Sequence, residues 1–150
     1  LCIAGDGSIQ MNMQEMATAV VSKLPVKIIV LNNRFHGMVR QWQDLFYQGR
    51  YASSDLADTP EFVKLAEAYG AVGLRANKVG DLDAVLKEAI AVNGPVIVDV
   101  PTYRFENVYP MIPAGGCNHE MILEDPPELK NKQAGASKVT PDGTDTVLTA

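Results

Sequence analysis

Residues 1–8 read LCIAGDGS, and residues 26–33 read VKIIVLNN. Each stretch is a short apolar run that stops at turn-forming residues, Gly-Asp-Gly in the first and Asn-Asn in the second. Such runs are typical of buried parallel strands. Between them, apolar residues recur at helical spacing over about residues 12–24, which predicts a helix. Two buried strands joined by a helix form a right-handed βαβ unit with parallel strands.

The side chains that follow these two strands lie at one edge of the predicted sheet. Asp6 and Asn33 come at the carboxyl ends of the strands, where open α/β sheets bind their ligands. One carboxylate and one amide oxygen, completed by phosphate and water, suit Mg²⁺. Gly5 and Gly7 would let the main chain approach a phosphate, and Ser8 adds a hydroxyl and an amide. The alternative is that Asp6 and Asn33 are ordinary turn residues.

The rest of the chain continues the alternation of strands and helices. The predicted elements are helices at about 60–69 and 81–92 and strands at 72–75 and 95–100. Thr59 is expected to cap the first of these helices at its start, and Gly70 to cap it at its end. The order predicts an α/β fold, a doubly wound and mostly parallel sheet with helices on both faces.

Composition narrows the classes of partner. The chain has 150 residues, is 47% hydrophobic and carries a formal net charge of −5, whereas nucleic-acid binding would need a basic surface. No apolar run approaches the roughly 18 residues that cross a membrane. The two cysteines lack the spacing of a disulfide or zinc framework, and Cys2 is expected to be buried in the first strand. Because the chain begins inside a strand, we expect the C-terminal third of a longer protein.

Five motifs occur together in this chain. They are Gly-Asp-Gly at 5–7, Asn-Asn at 32–33 after 24 intervening residues, GMVRQWQDLFY at 37–47, FVKLAEAYG at 62–70 and NVYPMIP at 107–113. Together they resemble the catalytic large subunit of the acetohydroxyacid synthase (acetolactate synthase) family, over about residues 1–123. The resemblance implies a diphosphate-binding domain at 1–123 whose segment 103–123 folds over the active site. Residues 124–150 match no family motif, and we expect a polar, mobile tail.

The resemblance implies thiamine diphosphate and Mg²⁺ as cofactors. Asp6, Asn33 and the main-chain carbonyl of Phe35 would bind the metal. The residues that would bind the cofactor are Gly5, Asp6, Gly7, Ser8, Asn33, Phe35, His36, Gly37 and Met38. His36 has a second interpretation as an acid or base, because imidazole titrates near neutral pH.

Trp42 is implied to line the channel by which the second substrate enters. It lies four residues after Met38, so the two side chains share a face of the predicted helix. The alternative is that this Met-Trp pair belongs to the core. No catalytic residue is expected in the chain, because the family's cofactor-activating Glu lies in an N-terminal domain. The chain alone is therefore expected to be inactive.

The reaction implied is decarboxylation of pyruvate and condensation of its hydroxyethyl group with pyruvate or 2-oxobutanoate, in valine, leucine and isoleucine biosynthesis. FAD is expected in the full-length enzyme but not in this domain. The implied assembly is a homodimer or homotetramer, which can include a regulatory small subunit. The implied location is the cytoplasm of a bacterium or the plastid of a plant or alga. Neither nucleic acid nor membrane is expected as a partner.

Two other functions share part of this pattern. Pyruvate oxidase and glyoxylate carboligase, which also use thiamine diphosphate, share the anchor formed by Gly-Asp-Gly and Asn-Asn, but the run at 37–47 favours acetohydroxyacid synthase. A dinucleotide-binding module would need a third glycine where Gln10 stands.

Overall fold

A computed structural model describes residues 1–58 and 60–130 of the chain. The elements follow in the order β1 (Cys2–Gly5), α1 (Asp6–Gln10), α2 (Glu15–Val21), β2 (Lys27–Asn32), α3 (Gly37–Phe46), α4 (Phe62–Tyr69), β3 (Val72–Arg75), α5 (Val79–Ala91) and β4 (Val96–Pro101). A short 3₁₀ turn follows at Asn118–Glu120. Every strand is rich in aliphatic residues, as strands covered on both faces are.

The four strands form one parallel sheet in the order β1-β2-β4-β3. Gly5 of β1 pairs with Leu31 of β2, so the chain leaves both strands at the same edge of the sheet. The strand β4 lies inside the sheet, between β2 and β3, although it is the last strand in the sequence. The connections therefore run first outwards from β1 to β3 and then back to β4, as in doubly wound folds.

Helices cover both faces of the sheet. On one face, residues of α1, α2 and α4 pack against β2 and β4 in a cluster of Ile9, Met16, Val30, Phe62, Ala66 and Ile97. On the other face, α5 packs through Ala89 against Ile29, Val96, Val98 and Val100. Both interfaces remove apolar surface from water, which is the main favourable term in folding. The α/β, doubly wound prediction is confirmed.

The helix predicted over residues 12–24 is shorter in the structure, Glu15–Val21, and a further short helix precedes it. The chain becomes helical at Asp6, directly after β1, and continues as two short helices, α1 and α2. Between them the main-chain hydrogen bonds join residues three apart, as in Asn12 N to Ile9 O and Glu15 N to Asn12 O. This tighter 3₁₀-type pattern ends α1 before α2 begins. The later helix boundaries shift by two residues or fewer.

The first strand is less buried than its sequence predicts. Its Ile3 is 65% exposed, and Cys2 is a free, exposed cysteine rather than a buried one. The reason is position, because β1 is an edge strand of the described sheet and has a neighbour on one side. Hydrophobic composition alone did not distinguish an edge strand from a central one.

Both ends of α4 are capped. The residue that caps its start differs from the one that the sequence predicts. The Glu61 carboxylate accepts a hydrogen bond from Lys64 N at 3.2 Å and so caps the start of the helix. Thr59, the expected cap, lies outside the described residues. Gly70 ends the helix with a left-handed φ of 82°, as the sequence predicts.

Packing of the C-terminal segment continues beyond residue 123. Asp125 accepts hydrogen bonds from Asn107 and Tyr109 at 2.6 Å each, and Leu129 is buried. The first part of the expected mobile tail therefore packs on the domain, because it supplies an acceptor for the partly buried side chains of Asn107 and Tyr109. Residues 131–150 lie outside the described residues. Within the described part of the chain, every helix is too short or too polar to cross a membrane.

Candidate functional site

A cleft of about 1060 Å³ opens at the carboxyl ends of β1 and β2. It is the place where parallel sheets of this kind bind ligands. Every predicted cofactor-binding residue lines it, namely Gly5, Asp6, Gly7, Ser8, Asn33, Phe35, His36, Gly37 and Met38. Thr102, Tyr103 and Glu106, from the segment after β4, line it too.

Asp6 is a carboxylic acid side chain that is almost completely buried at the cleft. The residue is 3% exposed, and its Oδ1 accepts a hydrogen bond from Gly7 N at 2.9 Å. Its Oδ2 is buried and has no hydrogen-bond partner among the residues that the structure describes. Burial raises the pKa of this carboxyl, and the main-chain amides and His36 nearby only partly oppose the shift. A buried, unpaired carboxylate oxygen costs free energy, so it indicates a missing partner.

The loop after β2 is held in a bent conformation. Asn33 Oδ1 accepts a hydrogen bond from Phe35 N at 3.0 Å, and Arg34 between them has a left-handed φ of 55°. Such a backbone is uncommon for a residue other than glycine and clusters at functional sites. The bond fixes the Asn33 side chain and the Phe35 main chain relative to one another. Both lie on the same cleft as Asp6.

Two glycines let the walls of the cleft approach closely. A Cβ atom on Gly7 would come within 2.7 Å of the His36 ring. A Cβ on Gly37 would lie 3.1 Å from Asn33 Nδ2. Gly37 also begins α3, and the N-cap residue His36 makes no side-chain hydrogen bond to the helix. The first-turn amides therefore keep the ability to bind an anion.

The donor set suits a hard divalent cation. Within the described residues no three His, Cys, Asp or Glu side chains come together as a metal cluster. The cleft would supply three oxygen ligands and one negative charge, from Asp6 Oδ2, the Asn33 amide oxygen and the main-chain carbonyl of Phe35. Such a set suits a magnesium ion, because Mg²⁺ is usually bound by one or two carboxylates and completes its coordination with phosphate oxygens and water. The orphaned Asp6 Oδ2 is the observation that makes the residues fit this ion.

The helix α3 buries its polar face and exposes its apolar one. Arg40 and Gln41 are buried, whereas Met38 is 55% exposed and Trp42 is 44% exposed. The core-packing interpretation of the Met-Trp pair is therefore wrong for the described chain. Met38 lines the cleft, but Trp42 is not among its lining residues.

Sequence reasoning missed four residues that shape the site. Arg40 and Gln41 tie α3 to the segment after β4, and Tyr103 and Glu106 of that segment line the cleft. Burial, followed by the charge of Glu106, raises the pKa of Tyr103. A signal existed for Arg40, because Asp44 follows it at the spacing of a helical ion pair. Nothing in the sequence says that this pair would be buried.

Comparisons with known proteins agree with this geometry. Residues 1–100 match the family model described as thiamine pyrophosphate enzyme, C-terminal TPP binding domain. The acetolactate synthase large subunit of Haemophilus influenzae is 48% identical over 132 residues, which are 87% of this chain and 23% of that protein. The isozyme 3 large subunit of Escherichia coli K12 is 48% identical over 126 residues, 82% of this chain and 22% of that protein.

A solved structure is similar as well. The thiamine diphosphate-dependent 4-hydroxybenzoylformate decarboxylase of Rhodococcus jostii RHA1 matches with a TM-score of 0.64 and 32% identity, over 69% of this chain and 19% of that one. The chain spans about a fifth of the length of the curated relatives it matches. The family match covers two thirds of the chain, including the cleft residues of β1, β2 and α3. The chain thus belongs to the family of C-terminal thiamine pyrophosphate-binding domains of thiamine pyrophosphate enzymes.

Proposed function

We propose that this chain is the part of an acetolactate synthase large subunit that binds the diphosphate of thiamine diphosphate through Mg²⁺. The observation that carries the proposal is the buried Oδ2 of Asp6, which has no hydrogen-bond partner among the described residues, in a residue that lines the same cleft as Asn33 and Phe35. The similarity to acetolactate synthase large subunits supports the choice of enzyme. The turn-residue alternative leaves the burial of Asp6 unexplained.

Each part of the cleft has a role in this proposal. Asp6, Asn33 and the Phe35 carbonyl would bind Mg²⁺, which neutralises phosphate charge. Ser8 and the first-turn amides of α3 at Gly37 and beyond would donate to phosphate oxygens. Gly5 and Gly7 would admit the diphosphate close to the main chain.

The remaining residues would shape the site rather than transfer protons. Bound thiamine diphosphate supplies the electron sink that decarboxylation of a 2-oxo acid requires. Met38 would lie against the cofactor, and the exposed Trp42 would line the entry of the second substrate. His36 would contribute by its position over Gly7 and at the start of α3. No residue of this chain is assigned as catalytic, and the cofactor-activating carboxylate would come from another domain.

The proposal extends to the whole protein. The substrates would be two 2-oxo acids, pyruvate and either a second pyruvate or 2-oxobutanoate, as the first common step towards branched-chain amino acids. The full-length protein would bind FAD outside this domain and would act as a homodimer or homotetramer. A regulatory small subunit is a further proposed partner, because the relatives are named large subunits. The location would be the cytoplasm or, in a plant or alga, the plastid.

The test is the product that the full-length protein makes from pyruvate with thiamine diphosphate, Mg²⁺ and FAD. We expect acetolactate from pyruvate alone and 2-aceto-2-hydroxybutanoate as well when 2-oxobutanoate is added. Acetaldehyde or acetyl phosphate instead would contradict the acetolactate synthase assignment and favour a pyruvate decarboxylase or a pyruvate oxidase, and condensation of glyoxylate without use of pyruvate would favour glyoxylate carboligase. Turnover without thiamine diphosphate would contradict the cofactor assignment itself.

A further inference from the structure

The side chain of Arg40 on α3 is completely buried and makes contacts in two directions. Its Nη1 forms an ion pair with Asp44 Oδ2 at 2.8 Å, one helical turn away. Its Nη2 donates to the main-chain carbonyl of Glu106 and to Asn107 Oδ1, at 2.7 Å each. Glu106 lines the cleft, so this second contact fixes a residue of the cleft wall.

The same guanidinium also lies against the loop after β2. Its central carbon is 5.7 Å from the centre of the Phe35 ring and 5.6 Å from that of Phe105, within the range of cation–π attraction. The two rings contact each other, with centroids 5.7 Å apart. Phe35 is the residue whose main chain bonds to Asn33 Oδ1. Arg40 therefore joins the loop carrying the proposed metal ligands to the segment after β4, whose residue Glu106 also lines the cleft.

Burial of this charge requires an explanation. Removing a guanidinium from water is expensive, and an apolar side chain of similar volume would fill such a position at no electrostatic cost. Its Nε is buried without a partner as well, so the environment does not satisfy the group fully. What an apolar residue could not do is bond to two acceptors of the C-terminal segment while pairing with Asp44. The contacts thus indicate a role in holding geometry.

We propose that Arg40 is a positioning residue that sets the distance between the Phe35 loop and the 103–107 segment, and so sets the affinity of the cleft for its metal-bound diphosphate. The inference rests on the proposed function, because it concerns the same cleft. Arg40 itself touches no cofactor atom in this account. It acts through Phe35 on one wall and through Glu106 and Asn107 on the other.

The experiment compares Arg40→Lys, Arg40→Met and the control Lys87→Met in the full-length protein. Lysine can keep the ion pair with Asp44, but it lacks the planar fork that reaches two further acceptors. Lys87 forms an ion pair of the same i,i+4 spacing with Asp83 on α5, and both of its members are exposed. Three quantities are measured for each protein: the melting temperature, the Kd for thiamine diphosphate with saturating Mg²⁺, and kcat with saturating cofactor.

We expect Arg40→Lys to melt close to wild type, to bind thiamine diphosphate about 10- to 100-fold more weakly, as loss of residues supporting metal ligands commonly does, and to keep its kcat within a few-fold. Lys87→Met should change none of the three quantities. A merely structural role would lower the melting temperature without changing the Kd of the folded protein. The inference is therefore overturned if Arg40→Lys binds the cofactor with wild-type affinity.

Arg40→Met is the variant that can fail to fold, and Arg40→Lys then carries the test alone. A variant that keeps its melting temperature but binds thiamine diphosphate more weakly supports the proposed positioning role of Arg40. Failure of the proposed function is distinguishable, since wild-type protein would then not bind thiamine diphosphate with Mg²⁺ at all. Wild-type binding with an unchanged Arg40→Lys variant overturns this inference only.

Discussion

The half of the molecule around the cleft and the half around α5 handle charge in opposite ways. In the α5 half, apolar residues of the helix face the sheet, its Lys87–Asp83 ion pair is exposed, and the buried Asp99 bonds to Arg75 and Asn32. In the cleft half, α3 buries the Arg40–Asp44 pair and exposes Met38 and Trp42, and the buried Asp6 keeps an unpaired oxygen.

This difference in the treatment of charge indicates that the α5 half contributes mainly to stability and the cleft half to ligand binding. The α5 half pairs the charge that it buries, Asp99 with Arg75, although Asn32 Oδ1 beside it has no hydrogen-bond partner among the described residues. The cleft half differs from the α5 half at the positions where a ligand would supply the missing partners. Three matched pairs of substitutions measure this contrast directly.

The largest contrast is expected between the two ion pairs of i,i+4 spacing. Arg40→Met should lower the free energy of unfolding by about 3–5 kcal/mol, because it breaks the buried ion pair with the Asp44 carboxylate. Lys87→Met should stay within about 0.5 kcal/mol, since exposed pairs contribute little. Chemical denaturation of the three proteins is the measurement. The double variant Arg40→Met/Asp44→Leu should recover most of the loss, and equal effects at Arg40 and Lys87 would contradict the contrast.

The buried carboxylates of Asp6 and Asp99 should respond to replacement by Asn in opposite directions. Without metal at neutral pH, Asp6→Asn should raise the free energy of unfolding, because it removes a charge that burial disfavours. Asp99→Asn should lower it by about 1–3 kcal/mol, since Arg75 loses a charged partner. Thermal unfolding in a chelating buffer measures both. Destabilisation by Asp6→Asn would indicate that Asp6 is a structural residue.

The pH dependence of the Asp6 effect follows from its pKa. Because the folded state raises the pKa of this carboxyl above its ordinary value of 3.8, the folded chain binds the proton more tightly than the unfolded chain. The stability of wild type therefore falls as pH rises from about 3.8 through the raised pKa. The advantage of Asp6→Asn should accordingly vanish at low pH and reach its full size above that interval. An advantage that grew towards acid would contradict the assigned shift.

The smallest contrast is expected between glycines in the first turns of the two helices. Gly37→Ala places a Cβ 3.1 Å from Asn33 Nδ2, so the proposed metal ligand must move by a few tenths of an ångström. Gly80→Ala in α5 meets nothing within 4 Å and should stabilise the helix by about 0.5–1 kcal/mol. Gly37→Ala should weaken Mg²⁺-dependent cofactor binding, and Gly80→Ala should not. Titration of both variants with thiamine diphosphate distinguishes them.

Sequence patterns were sufficient for the sheet and for the edge where the cleft lies. Apolar runs that stop at residues 5–7 and 32–33 predict two parallel strands, and in the structure Gly5 pairs with Leu31. Local signals also give the end of α4, because Gly70 adopts the left-handed conformation that its residue type permits. These features depend on neighbours in the sequence, which is why they are predictable.

Features set by distant contacts were not predictable. The orientation of α3 depends on Glu106 and Asn107, more than sixty residues away, which provide acceptors for Arg40. The exposure of β1 depends on which strands lie beside it. The turn between α1 and α2 lies between Asp6, which is at the cleft, and Met16, which packs in the core. In each case long-range packing overrode the local pattern.

The central claim is that Asp6 anchors the cofactor diphosphate through Mg²⁺, and one measurement tests it most directly. Isothermal titration of the full-length protein with thiamine diphosphate is compared for wild type and Asp6→Ala, with Mg²⁺ and with a chelator. We expect Mg²⁺-dependent binding by wild type and its loss in Asp6→Ala, with no fall in melting temperature. Binding by Asp6→Ala with wild-type affinity would contradict the proposed role of Asp6.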